Sequence, residues 1–179
     1  AMFSRIALGA VVGGCLFSVG GVQAQVRSFD GGGDGTSWSD AGNWSDNDAP
    51  DTGSETASID SGGAWSVVAS GSEIAAASLI LGSDDTLTVS NKVTLNRIGS
   101  LSGELVVSPG ANISVGSSWQ NDGIITLNEF GLLGTPNTSH AVTNSESGLI
   151  RGELFIVPLG FITGTLINHG TISPGFSAN

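Results

Sequence analysis

The chain has 179 residues, 28 of them Gly, with one Cys, no Tyr and a formal net charge of −11. That length fits one domain, or one domain with a small cap. Sixteen acidic residues against five Lys and Arg leave no basic face to neutralise phosphates, which excludes a nucleic-acid binder. A single Cys excludes a disulfide scaffold, and glycines without a strict G-X-Y period exclude collagen.

Residues 2–24 read MFSRIALGAVVGGCLFSVGGVQA. One cation, Arg5, precedes an apolar stretch that closes on the small-residue pattern Val22-Gln23-Ala24. This is the composition of a cleaved export signal, and no membrane span is expected in the mature chain. Cys15 lies inside the stretch, where lipidation is the alternative fate. The apolar run continues past it through Leu16, Phe17 and Val19, which favours cleavage after Ala24. The mature chain then holds no cysteine and relies on packing and backbone pairing for stability.

Residues 25–65 form an N-terminal capping module rich in Gly, Ser and Asp, with Trp38, Trp44 and Trp65 embedded. Eight of the acids fall between Asp30 and Asp60, and their first reading is a solvated surface. Residues 66–179 change character. Short alternating runs follow one another: ASLILG (77–82), TLTVS (86–90), KVTLN (92–96), ELVVS (104–108), NISVG (112–116), GIITLN (123–128), LFIVP (154–158) and TLINHGTIS (165–173). Each is bounded by Gly, Asn, Ser, Asp or Pro, which is the strand signature, and helical periodicity is nearly absent. The Ala-rich piece from Glu73 to Leu79 is too short to stand alone as a helix.

The runs repeat. Asn121-Asp122-Gly123-Ile124-Ile125 is echoed from Asn144 to Ile150 and again from Asn168 to Ile172, at spacings of 23 and 24 residues. A period near 23 with short strands and tight corners matches one coil of a β-solenoid. Upstream of Asn121 the period fades. The expected fold is all-β, a right-handed parallel β-helix of about five coils, roughly 24 Å tall at the strand spacing. A β-sandwich built from the same strands is the alternative. In the stack, Asn121, Asn144 and Asn168 align into an amide ladder, and the Gly after each Asn supplies a left-handed corner. Trp38, Trp44 and Trp65 form the core of a cap over the first coil, with a carbohydrate-stacking platform as their second reading.

Two stretches resemble a known group. FDGGGDGTSWSDAGNWSDNDAPDTGSETASID (29–60) is similar to the N-terminal module of exported bacterial β-helix proteins, found among autotransporter-like passengers and PEP-CTERM-tailed proteins. The pattern is W-x-x-x-x-N-W, then Pro, then a strand, carried here by Trp38, Asn43, Trp44, Pro50 and Thr56 to Asp60. INHGTISPGFSAN (167–179) resembles the recurring N-x-G-T-[LI]-S-P-G corner of the same proteins. The resemblance covers about 45 residues. It implies a secreted or cell-surface protein of adhesive or structural role. It also implies a fragment, because the chain ends before any translocator barrel or sorting tail.

Catalytic motifs are sparse. GGGDGT (31–36) lacks the G-x-G-x-x-G spacing, and no G-x-S-x-G elbow occurs. His140 and His169 stand 29 residues apart without metal-ligand spacing and read as turn residues. The enzyme alternative is a polysaccharide lyase or hydrolase using carboxylates among Asp84, Asp85, Asp122, Glu129 and Glu153, with Arg97 or Arg151 as clamps. A third alternative is a self-assembling structural solenoid. Asp30, Asp34, Asp46, Asp48 and Asp51 are candidate Ca²⁺ ligands, as hard oxygens close in sequence, although they do not form an EF-hand loop. No other cofactor is expected. The expected partners are a surface glycan or matrix component, and the chain's own continuation beyond Asn179. The favoured function is an exported structural or adhesive protein without a catalytic site.

Overall fold

The computed structural model describes residues 24–71, 74–129, 131–135, 139–152 and 165–175. The export-signal residues before Ala24, the strand expected at 154–158 and Glu153 lie outside the described residues.

The described strands are β1 (Gln25–Ser28), β2 (Glu55–Ile59), β3 (Ser66–Ala69), β4 (Ile74–Leu81) and β5 (Thr86–Val89). They continue as β6 (Lys92–Leu101), β7 (Glu104–Val107), β8 (Asn112–Val115), β9 (Trp119–Asn121) and β10 (Ile124–Leu127). The series closes with β11 (Leu132–Gly134), β12 (Ala141–Asn144), β13 (Leu149–Gly152), β14 (Thr165–Asn168) and β15 (Thr171–Pro174). Every pairing between these strands is parallel, so the molecule is a stack of coils and not a sandwich. Residues 74–79 of the Ala-rich piece fall within β4, and Glu73 lies outside the described residues. No helix among the described residues is long and apolar enough to cross a membrane.

Each coil presents up to three faces. The first holds the leading halves of β4 and β6, then β8 and β11. The second runs β3-β5-β7-β10-β13-β15. The third begins with β1 and β2, continues through the trailing halves of β4 and β6, and carries β9, β12 and β14. Alternation along each strand sends one set of side chains inward. On the second face Val67, Leu87, Leu105, Ile125 and Ile150 stack in register and are buried. On the first face Ile74, Val93, Ile113 and Leu133 do the same. Each such side chain contributes on the order of 1.5–3 kcal/mol by leaving water.

The corner between the third and second faces is closed by a column of backbone hydrogen bonds. Gly82 N–H donates to Ile59 O, Ser102 to Leu81 O, Asp122 to Leu101 O, Ser145 to Asn121 O and His169 to Asn144 O. The column defines one structural position occupied by Ile59, Leu81, Leu101, Asn121, Asn144 and Asn168. The first five of these are fully buried. Its chemistry changes half-way, from aliphatic to amide. That change hides the early coils from sequence inspection. Coil length also varies, since Thr86 pairs with Glu104 and Ile124 with Leu149.

The amides form a directional chain. Asn121 Nδ2 donates to Asn144 Oδ1 at 2.7 Å, and Asn144 Nδ2 donates to Asn168 Oδ1 at 2.7 Å. Each Nδ2 also reaches a carbonyl of the corner: Gly123 O at 3.2 Å, Gly148 O at 3.1 Å and Gly170 O at 3.1 Å. The corner glycines work differently from the expectation. Left-handed glycines among the described residues are Gly31, Gly35, Gly62, Gly110 and Gly152, and not Gly123, Gly148 or Gly170. A Cβ on Gly123 would instead enter the carbonyl of Gly103, and one on Gly170 would enter that of Ser145. These positions need Gly because stacked corners touch backbone to backbone.

Replacing Asn144 by Ala takes an acceptor from buried Asn121 Nδ2 and a donor from the buried Gly148 carbonyl, besides the bond to Asn168. We expect a loss of about 2–3 kcal/mol in a thermal or urea melt. Ser66→Ala, on the exposed start of β3, is the control and should change nothing measurable. Equal effects would remove the ladder as a source of stability.

Candidate functional site

The Gly-rich segment before β2 is organised by two buried polar side chains. Asn43 is fully buried. Its Oδ1 accepts from Gly33 N (3.0 Å) and Gly35 N (2.8 Å), while its Nδ2 donates to Asp34 Oδ1 and Ser37 O, both at 2.8 Å. The loop therefore winds around one amide. Trp38 and Trp44, both buried, pack edge-on with ring centroids 5.0 Å apart, and Phe29 adds edge contacts to Trp44 and Trp65. Trp38 Nε1 donates to Pro50 O and Trp44 Nε1 to Trp38 O. Every residue of the W-x-x-x-x-N-W…P pattern thus bonds within one unit. That unit adds a rung below β3, where Trp38 N–H donates to Val68 O. Trp65 is half-buried, against Phe29 and the core.

The second organiser is Arg27 of β1, whose side chain is only 8% exposed. It holds Glu55 at 3.0 Å, Asp46 at 3.1 Å and Asp48 at 2.5 Å. Burial alone lowers the guanidinium's pKa. The hydrogen bond to Glu55 and the charges of Asp48, Glu55 and Asp46 outweigh it and raise the pKa. Burial likewise pushes Glu55 up, but its bonds from Arg27, Asp51 N–H and Thr52 hold it below its ordinary value.

These contacts place the five candidate calcium ligands. Asp46 and Asp48 face Arg27. Asp34 accepts from the backbone of Ser37 and Thr36 and from Asn43, and its pKa falls to about 2. Asp30 accepts from Gly32 N–H. Asp51 is exposed, and its N–H bonds Glu55. The structure does not bring the five together, and no group of three or more His, Cys, Asp or Glu among the described residues is arranged around a metal position.

The candidate catalytic carboxylates separate onto two edges. Asp84, Asp85 and Asp122 lie on the corner between the third and second faces, while Glu129 lies on the corner between the second and first. Sequence reading missed Asp60, which converges with Asp85 over Gly82, where a Cβ would strike both carboxylates. Asp85 is buried and accepts from Trp65 N–H at 2.8 Å. Burial raises its pKa against that bond, and the charges of Asp60 and Asp84 add to the rise. His140 precedes β12, and His169 sits exposed in the corner after β14.

Arg151 lies on the outer side of the second face, bonded to Glu104 (2.8 Å) and Thr126 (2.9 Å). Arg97 is different. It is exposed, on the third face, and forms no ion pair among the described residues. It borders a shallow groove of about 520 Å³ whose lining includes Val26, Thr56, Ser78, Ile80, Gly99 and Ser100. The groove arises at a bulge. Leu79 pairs with Ile98, but Ile80 pairs with Ser100, so Gly99 is an extra residue in β6. Arg97, Gly99 and Ser100 consequently all face outward while Ile98 and Leu101 stay buried. A bulge leaves no signal in a single sequence beyond an interrupted alternation. No protein family, curated protein or solved structure matches the chain.

Two predictions follow from the carboxylates. Asp34 is lowered from 3.8 to about 2, so its contribution is present above about pH 4 and lost as the pH falls through about 2. An acid titration followed by Trp fluorescence should show a transition in that window, shallower in Asp34→Asn. Asp85 is raised, so its ionised form weighs against folding at neutral pH. Asp85→Asn should keep the acceptor for Trp65 N–H and raise Tm at pH 7 by about 2 °C, and a fall in Tm would contradict this assignment.

Proposed function

We propose that the chain is an exported bacterial surface or matrix protein, acting as a rigid structural and adhesive element without a catalytic site of its own. The observation that carries this reading is the stack of three parallel sheets built from β1 to β15, filled by aligned aliphatic side chains and an amide chain. Such a stack resists bending because each coil is bonded to its neighbours along several faces. Its outer positions are mainly small and polar: Thr86 and Thr88 on the second face, Thr94 and Ser114 on the first, Ser100, Gln120 and Thr143 on the third. Those side chains suit contact with hydroxyl-rich polymers. The charge of −11 supports solubility outside the cell. The export part rests on residues 2–24, with their single cation and Val22-Gln23-Ala24 end.

The test is expression of the full chain in a bacterium with two membranes, followed by fractionation and mass spectrometry of the N-terminus. The expected product lies outside the cytoplasm and starts at Gln25. A lipidated product starting at Cys15 would place it at a membrane surface by the alternative route. An uncleaved cytoplasmic product would overturn the export reading.

A further inference from the structure

We infer that the groove beside Arg97 binds a carboxylate-bearing sugar, one charged residue at a time. This deepens the adhesive reading above, on which it rests, by naming the ligand class and the residues that take it.

The cations of the described residues are used unequally. Arg27 holds three carboxylates, and Arg151 holds Glu104. Arg97 is exposed without an ion pair among the described residues, and no acid lines the groove that it borders. A planar guanidinium left open in an acidic protein offers two parallel donors, which match a carboxylate.

The floor of the groove is polar as well as apolar. Ser78 and Thr56 line the floor, and neither side chain bonds another described residue. Hydroxyls at a groove floor that bond no neighbouring residue can bond a ligand's own hydroxyls. Ser78 Oγ points toward Gly99, where a Cβ would come within 2.9 Å of it. The bulge therefore sets a residue without a side chain against this hydroxyl and adds the exposed Ser100 beside it. Val26, 53% exposed, and Ile80 provide apolar surface at the rim and floor. A carboxylate anchor, three hydroxyls and an apolar surface are the groups that a sugar acid presents in complement: its charge, its hydroxyls and the C–H face of its ring. The volume of about 520 Å³ is in the range of small-ligand sites.

Charge limits the ligand further. The chain carries −11, and like charges repel over about 8–10 Å at physiological salt. A dense polyanion would meet that repulsion along its length. One terminal or isolated sugar acid meets Arg97 alone.

The test uses the full chain and measures binding of galacturonate by calorimetry or ligand-observed NMR, beside galactose and inorganic phosphate. The expected result is saturable one-to-one galacturonate binding that weakens with added salt, with galactose and phosphate each far weaker. Arg97→Gln should weaken galacturonate about tenfold while Tm stays unchanged. Gly99→Ala should also weaken it, by crowding Ser78 with Arg97 intact. The proposal is overturned by no galacturonate binding, by equal binding of galactose or phosphate, or by an unaffected Arg97→Gln. Export to the cell exterior is read independently at the N-terminus, so loss of the ligand leaves that result standing.

Discussion

Everything in this molecule depends on stacked coils staying in register at the corner between the third and second faces. There the backbone N–H of each coil donates to a carbonyl of the coil before it, from Ile59 O through Asn144 O. The corner side chain points into the stack, so it must be apolar or fully bonded. Ile59, Leu81 and Leu101 meet the first condition, and Asn121 and Asn144 the second. The two solutions are not equivalent. An aliphatic corner tolerates sliding, because dispersion has little directional preference. An amide chain bonds one neighbour above and one carbonyl beside it, and so fixes position along the strand as well as depth. It also fixes how closely the corners approach, which the glycines at 123, 148 and 170 permit.

The N-terminal module solves a different problem, that of closing the first rung. A sheet edge exposes unpaired backbone groups, and covering it with irregular chain requires partners for that chain's own amides. Asn43 and Asp34 supply them for the Gly-rich loop, and Trp38 and Trp44 fill the space beneath. Arg27 then ties β1, β2 and the acidic turn together. With one cation against three carboxylates the cluster remains negative, and the exposed positions of Asp46 and Asp48 leave part of that charge in water. Much of the acidity read from the sequence as surface is therefore organised around specific donors.

The sequence made the later coils legible because an Asn followed by a corner Gly, at Asn spacings of 23 and 24 residues, is a chemical signature. The early coils were harder to read, since Leu81 and Leu101 look like any strand-end aliphatic and their coils are shorter. Trp38 and Trp44 were legible as buried rings from their size. Asn43 belonged to a recognisable pattern, but its four bonds depend on a loop closing over it. The partnership of Arg27 with Asp46, Asp48 and Glu55 was not legible, since it joins residues up to 28 apart through the entry strand. Asp60 went unnoticed because its convergence with Asp85 needs two coils and a glycine between them.

The groove shows how a regular stack makes a local feature without losing its core. An extra residue in a strand normally reverses every side chain that follows it, sending core residues into water. In β6 the pattern runs buried Leu95, exposed Asn96 and Arg97, buried Ile98, exposed Gly99 and Ser100, buried Leu101. Two steps of three replace three steps of two. The first lets the chain turn between faces, and the second is the bulge opposite Leu79 and Ile80. Because both steps return an aliphatic residue to the interior, the irregularity is confined to the outside. Glycine is suited to the extra position, since any side chain there would meet Ser78 Oγ. A fold that enforces register so strictly inside thus gains freedom outside, where one inserted residue can redirect a cation and set a glycine against a hydroxyl at little cost to the stack.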